Sequence, residues 1–517
     1  MYLRDNHFLK INIIKVEENS TKKFDVCIIG GGPAGYAAAM RAVDFGKSVV
    51  LIEKNKLGGA GIYNGALTSK TMWELSRKVD TINSSLYSAG RRQLEVTWDD
   101  VQKTIKDAVF ERKFQYSSHV KMLDTRLKDK FTYEKGTAKM ISKNEVEIMR
   151  KDETETTILA ENIIIATGSR PRVIPNIDVD EKTIMTSDGI HHMESFPKSL
   201  VIVGAGVIGC EYATMFSSFG KTKVYLIDKA DHILPFEDRD ISSLVENNLK
   251  KNGVTIHNKA SLERLEKIDG EVEYELSYPD GRKEVIRVEK ALLSIGRIPN
   301  FENIGMENAG VLMSKRGRHI GDDDTQTNIP NIYSVGDVSG NMSLVNVGEL
   351  EGRHAIERMF MEKMPERLSY DNISNIMFLD PEVAAVGMNE KQCSEQNIPI
   401  KVVKIDYSCI ARAIAMRKTE GFFKIIVTND KDMKVLGMRA IGEHASSAIQ
   451  AVALLIKMNK GIEELAEMVH PHPSIIEGIQ ECVRMLLNKS VFKSSIFKDK
   501  LKCYSCVDGV CTPLQRL

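Results

Sequence analysis

Phe24–Gly30 reads FDVCIIG, an apolar, β-rich run that stops at a glycine cluster. Pro33–Phe45 (PAGYAAAMRAVDF) follows with helix-forming composition, and Ser48–Glu53 (SVVLIE) is a second apolar run that ends in an acid. Strand, glycine turn, helix, strand is one βαβ unit. The same order returns at Ser199–Asp228 as SLVIVGAGVIGCEYATMFSSFGKTKVYLID. Two such units in one chain predict an α/β fold with two Rossmann-like dinucleotide-binding domains.

The glycine spacing carries the chemistry. In the first unit Gly30 permits the tight turn, and Gly32 lets backbone approach a pyrophosphate. Gly35 lets helix and strand pack closely, and the phosphates sit on the helix N-terminus. Glu53 follows Gly35 by 18 residues, near the ~20 expected of an acid that binds ribose hydroxyls. The second unit repeats the pattern with Gly204, Gly206 and Gly209, and Asp228 lies 19 residues beyond Gly209. One such glycine pattern is as easily an ordinary turn; two, each framed by strand, helix and terminal acid, are not. A carboxylate that accepts a 2′-OH repels a 2′-phosphate, so Asp228 favours NAD(H) over NADP(H). The neighbouring Lys229 weakens that preference, because it can offer a phosphate partner.

Composition bounds the rest. The chain has 517 residues, with 71 Lys+Arg against 71 Asp+Glu, a neutrality that argues against a nucleic-acid partner. No apolar run approaches the roughly 18–20 residues needed to cross a bilayer. The eight cysteines are too few and too scattered for a disulfide scaffold. Residues 1–23 carry Asp5, Glu17 and Glu18 and contain no signal-like apolar core. They are expected to be an N-terminal extension of a cytoplasmic protein.

Between the two units lies a mixed region closed by the strand-like Asn162–Pro175 (NIIIATGSRPRVIP). Afterwards come Ala291–Asn300 (ALLSIGRIPN) and Asn331–Gly340 (NIYSVGDVSG), apolar runs that end at glycines. From about Leu368 alternating segments precede a long helical pattern over Ala445–Asn459, which predicts an antiparallel sheet with helices.

These residues resemble the two-dinucleotide flavoprotein disulfide reductases, the family of dihydrolipoamide dehydrogenase, glutathione reductase and soluble transhydrogenase. The resemblance spans about residues 24–490. It includes Ala166–Gly168 (ATG), Gly296–Asn300 (GRIPN), Val335–Asp337 (VGD) and Pro381–Gly387 (PEVAAVG). Gly204–Ala213 (GAGVIGCEYA) looks most like the transhydrogenase branch. The resemblance implies FAD at the first site, with Gly168 and Asp337 contributing to it, and NAD(P)H at the second, with Gly296. It also implies a homodimer. The expected domains are FAD-binding at 24–175 and 296–365, NAD(P)-binding at 176–295, α+β dimerisation at 366–492, and a cysteine-containing tail at 493–517.

One departure stands out. The family carries two redox cysteines in the pattern GGxCxxxxCxxSK; here the stretch from Gly58 reads GGAGIYNGALTSK, with Gly61 and Ala66 at the cysteine positions. Thiol–disulfide exchange needs one thiolate to attack and another to leave, and this loop has no sulfur. On the nicotinamide side the resemblance implies that Lys70 and Glu211 form an ion pair beside the flavin. The plainer alternative is a solvated Lys70 and a Glu211 favoured by its helix dipole. Val469–Glu477 (VHPHPSIIE) matches the family's acid–base motif, with His472 and Glu477 as the pair; inherited structure without a catalytic part is the alternative.

Cys503 and Cys506 have redox-pair spacing, and Cys511 follows five residues later. The readings open for this tail are a redox pair that replaces the missing sulfur, a metal site, and a flexible segment with no catalytic part. The leading expectation is an FAD-dependent NAD(P)H oxidoreductase that passes hydride to a small-molecule acceptor other than a disulfide, most readily a second pyridine nucleotide. Its rivals are a quinone acceptor, dihydrolipoyl dehydrogenase activity using the tail cysteines, and a non-catalytic flavoprotein subunit.

Overall fold

The computed structural model describes residues 21–313, 324–466 and 468–514; most of the expected N-terminal extension lies outside these. The first βαβ unit forms the centre of a seven-stranded sheet. Lys23–Ile29 pairs in parallel with Val49–Glu53 on one side and with Glu155–Ile165 on the other. Phe131–Lys135 extends the parallel order beyond Val49–Glu53, and Ile332–Ser334 pairs with the end of Glu155–Ile165. Strands covered on both faces need continuous apolar runs, and all five residues of Val49–Glu53 are buried.

The second unit centres a five-stranded parallel sheet. In order, its strands are Thr255–His257, Lys223–Ile227, Ser199–Val203, Lys290–Leu293 and Ile184–Thr186. An antiparallel meander, Ser261–Ile268, Glu271–Ser277 and Lys283–Val288, lies against it. Neither this meander nor the long helix Trp98–Arg126 is marked by a motif in the sequence, and the helix Ala66–Ser88 is marked only at its start, through Lys70.

The C-terminal block is an antiparallel sheet, as the alternation from Leu368 predicts. Its order is Asn375–Met377, Val383–Gly387, Val435–Ile441, Phe422–Thr428, Ile400–Asp406, Leu501–Val507 and Val510–Pro513. The helical pattern over Ala445–Asn459 divides into Ala445–Ala448 and Gln450–Lys457.

The last two strands correct the expectation for the tail. Leu501–Val507 adds antiparallel to Ile400–Asp406, and Val510–Pro513 folds back on it. Cys503 and Cys506 do not form a pair. Successive strand residues face opposite sides, so residues three apart point away from each other. Cys506 lies directly across from Cys511 and is disulfide-bonded to it, while Cys503 is buried in the core with Cys482.

Candidate functional site

The two glycine turns have the same geometry. Gly30 (φ +115°) donates its N–H to Ile52 O at 2.8 Å, and Gly204 (φ +101°) donates to Ile227 O at 2.9 Å. A Cβ on Gly35 would fall 2.0 Å from Gly30 O, and one on Gly209 would fall 1.9 Å from Gly204 O. Only glycine allows helix and strand to approach this closely.

The acids close each turn. Glu53, 8% exposed, accepts the Gly31 N–H at 2.8 Å, and Asp228 accepts the Ala205 N–H at 2.6 Å.

Both cradles have room for a dinucleotide. A Cβ on Gly32 or Gly206 would meet no atom within 4 Å, and neither following helix is capped by a side chain. Their first-turn N–H groups are therefore available to an anion. Gly168 (φ +70°) and Gly296 (φ +103°) also face open space. Asp337 accepts a hydrogen bond from the Ser169 hydroxyl, which in turn accepts from Arg297 Nε at 2.7 Å. The residues present thus fit FAD at the first turn and a pyridine nucleotide at the second.

Between the cradles, Lys70 Nζ lies 2.8 Å from Glu211 Oε2. Glu211 is 4% exposed, and its other oxygen accepts the Phe378 N–H at 3.0 Å. The Lys70 ammonium sits 4.7 Å from the centre of the Phe378 ring, a cation–π distance. The pair therefore joins the Ala66–Ser88 helix, the Val207–Phe219 helix and the start of the C-terminal sheet.

The cysteine-less loop is tightly packed at one of its two positions. A Cβ on Gly61 would lie 2.8 Å from Pro33 Cγ, so glycine there leaves no vacant pocket behind it. Asn64, in the same loop, hydrogen-bonds Asp188, whose carboxyl is pushed up by burial. The cysteines outside the disulfide, among the described residues, are Cys27, Cys210, Cys393, Cys409, Cys482 and Cys503. Burial raises the first five, Cys393 to about 11.

His472 and Glu477 are brought together: Nδ1 lies 2.8 Å from Oε1. The imidazole is 70% exposed and faces outward. Burial alone would raise the Glu477 carboxyl, but the Ser474 N–H and His472 outweigh it and hold it below its ordinary value.

Sequence reasoning missed Phe378, 167 residues from Glu211, and no local signal marks it. It also missed Glu351, which accepts the Gly336 N–H at 2.6 Å next to Asp337. Here a signal existed. In the Val345–Phe360 helix Val347, Glu351, His354 and Ala355 are all buried, so acid and imidazole occupy core spacing. His354 pairs with Asp324 at 2.6 Å.

Residues 24–352 match the family described as pyridine nucleotide-disulphide oxidoreductase, and residues 373–483 match its dimerisation domain. Dihydrolipoyl dehydrogenase from Chlamydia pneumoniae is 33% identical over 460 residues, covering 88% of this chain and 95% of that protein. The Bacillus subtilis dihydrolipoyl dehydrogenase is 32% identical over 480 residues, covering 91% and 99%. Among solved structures, LpdA from Mycobacterium tuberculosis superposes with a TM-score of 0.81 at 23% identity, covering 90% of this chain and 99% of that one. The HOCl-induced flavoprotein disulfide reductase RclA from Escherichia coli, as its Cu(II) complex, gives 0.78 at 25% identity, covering 90% and 100%.

Proposed function

The chain belongs to the pyridine nucleotide-disulphide oxidoreductase family, and from that premise we propose a homodimeric FAD enzyme with an unusual acceptor. It takes hydride from NAD(P)H, NADH in preference, and delivers it to a small molecule other than a disulfide, a second pyridine nucleotide above all. The observation that carries this reading is the pair Gly61 and Ala66, where a disulfide reductase needs two sulfurs.

When bound, FAD supplies two-electron chemistry that a protein side chain cannot. The residues of the chain bind, orient and set charge. The first-turn N–H groups after Gly32 and Gly206 hold pyrophosphates, and Glu53 and Asp228 receive ribose hydroxyls. Lys70 is fixed by Glu211 where the Ala66–Ser88 and Val207–Phe219 helices meet. A half-buried ion pair is a weak stabilising device, so its placement favours an electrostatic role. One nicotinamide site can serve donor and acceptor in turn, which favours a pyridine nucleotide over a quinone.

The dimerisation-domain match supports a homodimer. His472, exposed and oriented by Glu477, is the acid–base candidate a second subunit would receive.

The relatives' names favour a second reading, dihydrolipoyl dehydrogenase activity. It needs sulfur from outside the loop, and the bonding of Cys506 to Cys511 within a sheet weighs against the tail as its source. Steady-state assays separate the two: thionicotinamide adenine dinucleotide is reduced by NADH, and lipoamide is not. Lipoamide turnover would overturn the reading. An FAD-loaded protein that never oxidises NADH, whichever acceptor is offered, would leave only the scaffold role.

A further inference from the structure

Four cations stand in one row across adjacent strands of the C-terminal sheet. Arg439 is in direct register with Lys424, Lys424 with Lys404, and Lys404 with Lys502. Residues in direct register share a face of the sheet, and like charges so placed repel. Carboxylates answer the first three. Glu237 lies 2.8 Å from Arg439 Nε, and Lys424 Nζ lies 2.7, 2.8 and 2.8 Å from Asp238, Asp240 and Glu390. Lys404 Nζ shares Asp240 at 3.0 Å. Burial pushes the Lys404 ammonium below its ordinary value; Asp240 opposes this, and Lys424 and Lys502 add to it. Lys502 ends the row, exposed, and among the described residues no carboxylate lies within ion-pair distance of it.

Lys404 and Lys502 open onto a cavity of about 550 Å³, inside the ~300–1,000 Å³ usual for small-molecule sites. The sheet is its floor and the helix Arg239–Lys251 its roof. That helix turns Asp240, Ser243, Leu244 and Asn247 toward it, spaced as one helical face. A face laid over a sheet is ordinarily apolar, whereas three of these four side chains are polar. Glu420 and Asp499 also line the cavity. Each precedes the first residues of its strand, Phe422 and Leu501, which pair with Asp406 and Ile405 at the outer end of the sheet. Cations therefore lie inward and acids outward. Asp499 and Lys502 fall beyond residue 483, where the match to the dimerisation domain ends, so this wall belongs to the tail.

We propose that the cavity binds a small zwitterion, its carboxylate on Lys404 and Lys502 and its ammonium toward Glu420 and Asp499. A carboxylate completes the cation row at Lys502 as Asp240 and Glu390 complete it at Lys424. The outward acids turn away a ligand that carries negative charge alone, and the inward lysines turn away one that carries only positive charge. The site shares no residue with the two glycine turns or with the Lys70–Glu211 pair, so it does not depend on which acceptor the flavin serves.

Calorimetric titration of the FAD-loaded protein tests this, with glycylglycine and 4-aminobutyrate as zwitterionic probes and acetate and methylammonium as probes of one charge. At least one zwitterion should bind, about tenfold or more tighter than either single-charge probe. Lys502→Ala and Glu420→Gln, both at exposed positions, should each weaken that binding by about tenfold or more. Both should keep their flavin and oxidise NADH within about twofold of the unaltered protein. The two substitutions lie on different segments, so misfolding of one variant leaves the other as the test. Binding of neither zwitterion would overturn the proposal. So would single-charge probes that bind as tightly, or a zwitterion affinity that a folded variant leaves unmoved.

Discussion

Lys70 and Glu211, 141 residues apart, meet at 2.8 Å, and the backbone N–H of Phe378 holds the second Glu211 oxygen. Removing the cation leaves a buried carboxylate with one partner. Lys70→Met is expected to slow flavin reduction by NADH at least about tenfold and to lower stability by about 1–3 kcal/mol. Stopped-flow reduction and urea denaturation measure the two effects. An unchanged reduction rate would make the pair merely structural.

The same substitution in the two glycine turns should produce different losses. Gly35→Ala places a methyl 2.0 Å from Gly30 O, and Gly209→Ala places one 1.9 Å from Gly204 O. The first should fail to retain FAD. The second should keep FAD and lose NADH oxidation. Flavin absorbance per chain, read with activity, checks both.

Restoring sulfur at the loop should not be easy. A Cβ at position 61 would lie 2.8 Å from the Pro33 ring, so Gly61→Cys is expected to cost about 1–3 kcal/mol by overpacking. Ala66→Cys, half-exposed at a helix start, should be tolerated. Thermal denaturation of the two single variants gives the comparison.

The Glu477 carboxyl is held below its ordinary range, so its contribution is present above the unfolded carboxylate pKa of about 4.3 and lost as pH falls through the folded value. Glu477→Gln should therefore be less stable at neutral pH, by up to about 1 kcal/mol for so exposed a pair. That difference should shrink in acid. Urea midpoints at neutral and acid pH test the sign.

The tail strand also makes a long contact. Tyr504 donates to Glu390 at 2.8 Å, and Glu390 pairs with the buried Lys424 at 2.8 Å. Ending the chain after Lys500 would uncover the Ile400–Asp406 edge and remove Leu501 and Cys503 from the core. The expected outcome is lower stability and aggregation. Cys511→Ser should leave NADH oxidation within about twofold. Light scattering and kinetics distinguish these effects.

Much of the site was legible because its residues are local in sequence. Gly30 to Glu53 and Gly204 to Asp228 each lie within one βαβ unit, so spacing alone marks them. His472 and Glu477 lie five residues apart and do meet. The Lys70–Glu211 contact came from resemblance, since nothing local links the two. Phe378 left no trace, because one part is played by a backbone N–H that every residue type but proline has, and its ring meets Lys70 only through the tertiary fold. The tail misled because C-x2-C spacing marks a pair only where the backbone turns. In a strand the two side chains face opposite sides, and the partner of Cys506 is set by the register of a hairpin.

The central claim is that no thiol pair stands between flavin and acceptor. Anaerobic titration of the FAD-loaded protein with NADH, followed by visible absorbance, tests it directly. Direct bleaching of the flavin, with no long-wavelength thiolate-to-flavin charge-transfer band, is the predicted result. A charge-transfer band at two electrons per flavin would contradict it.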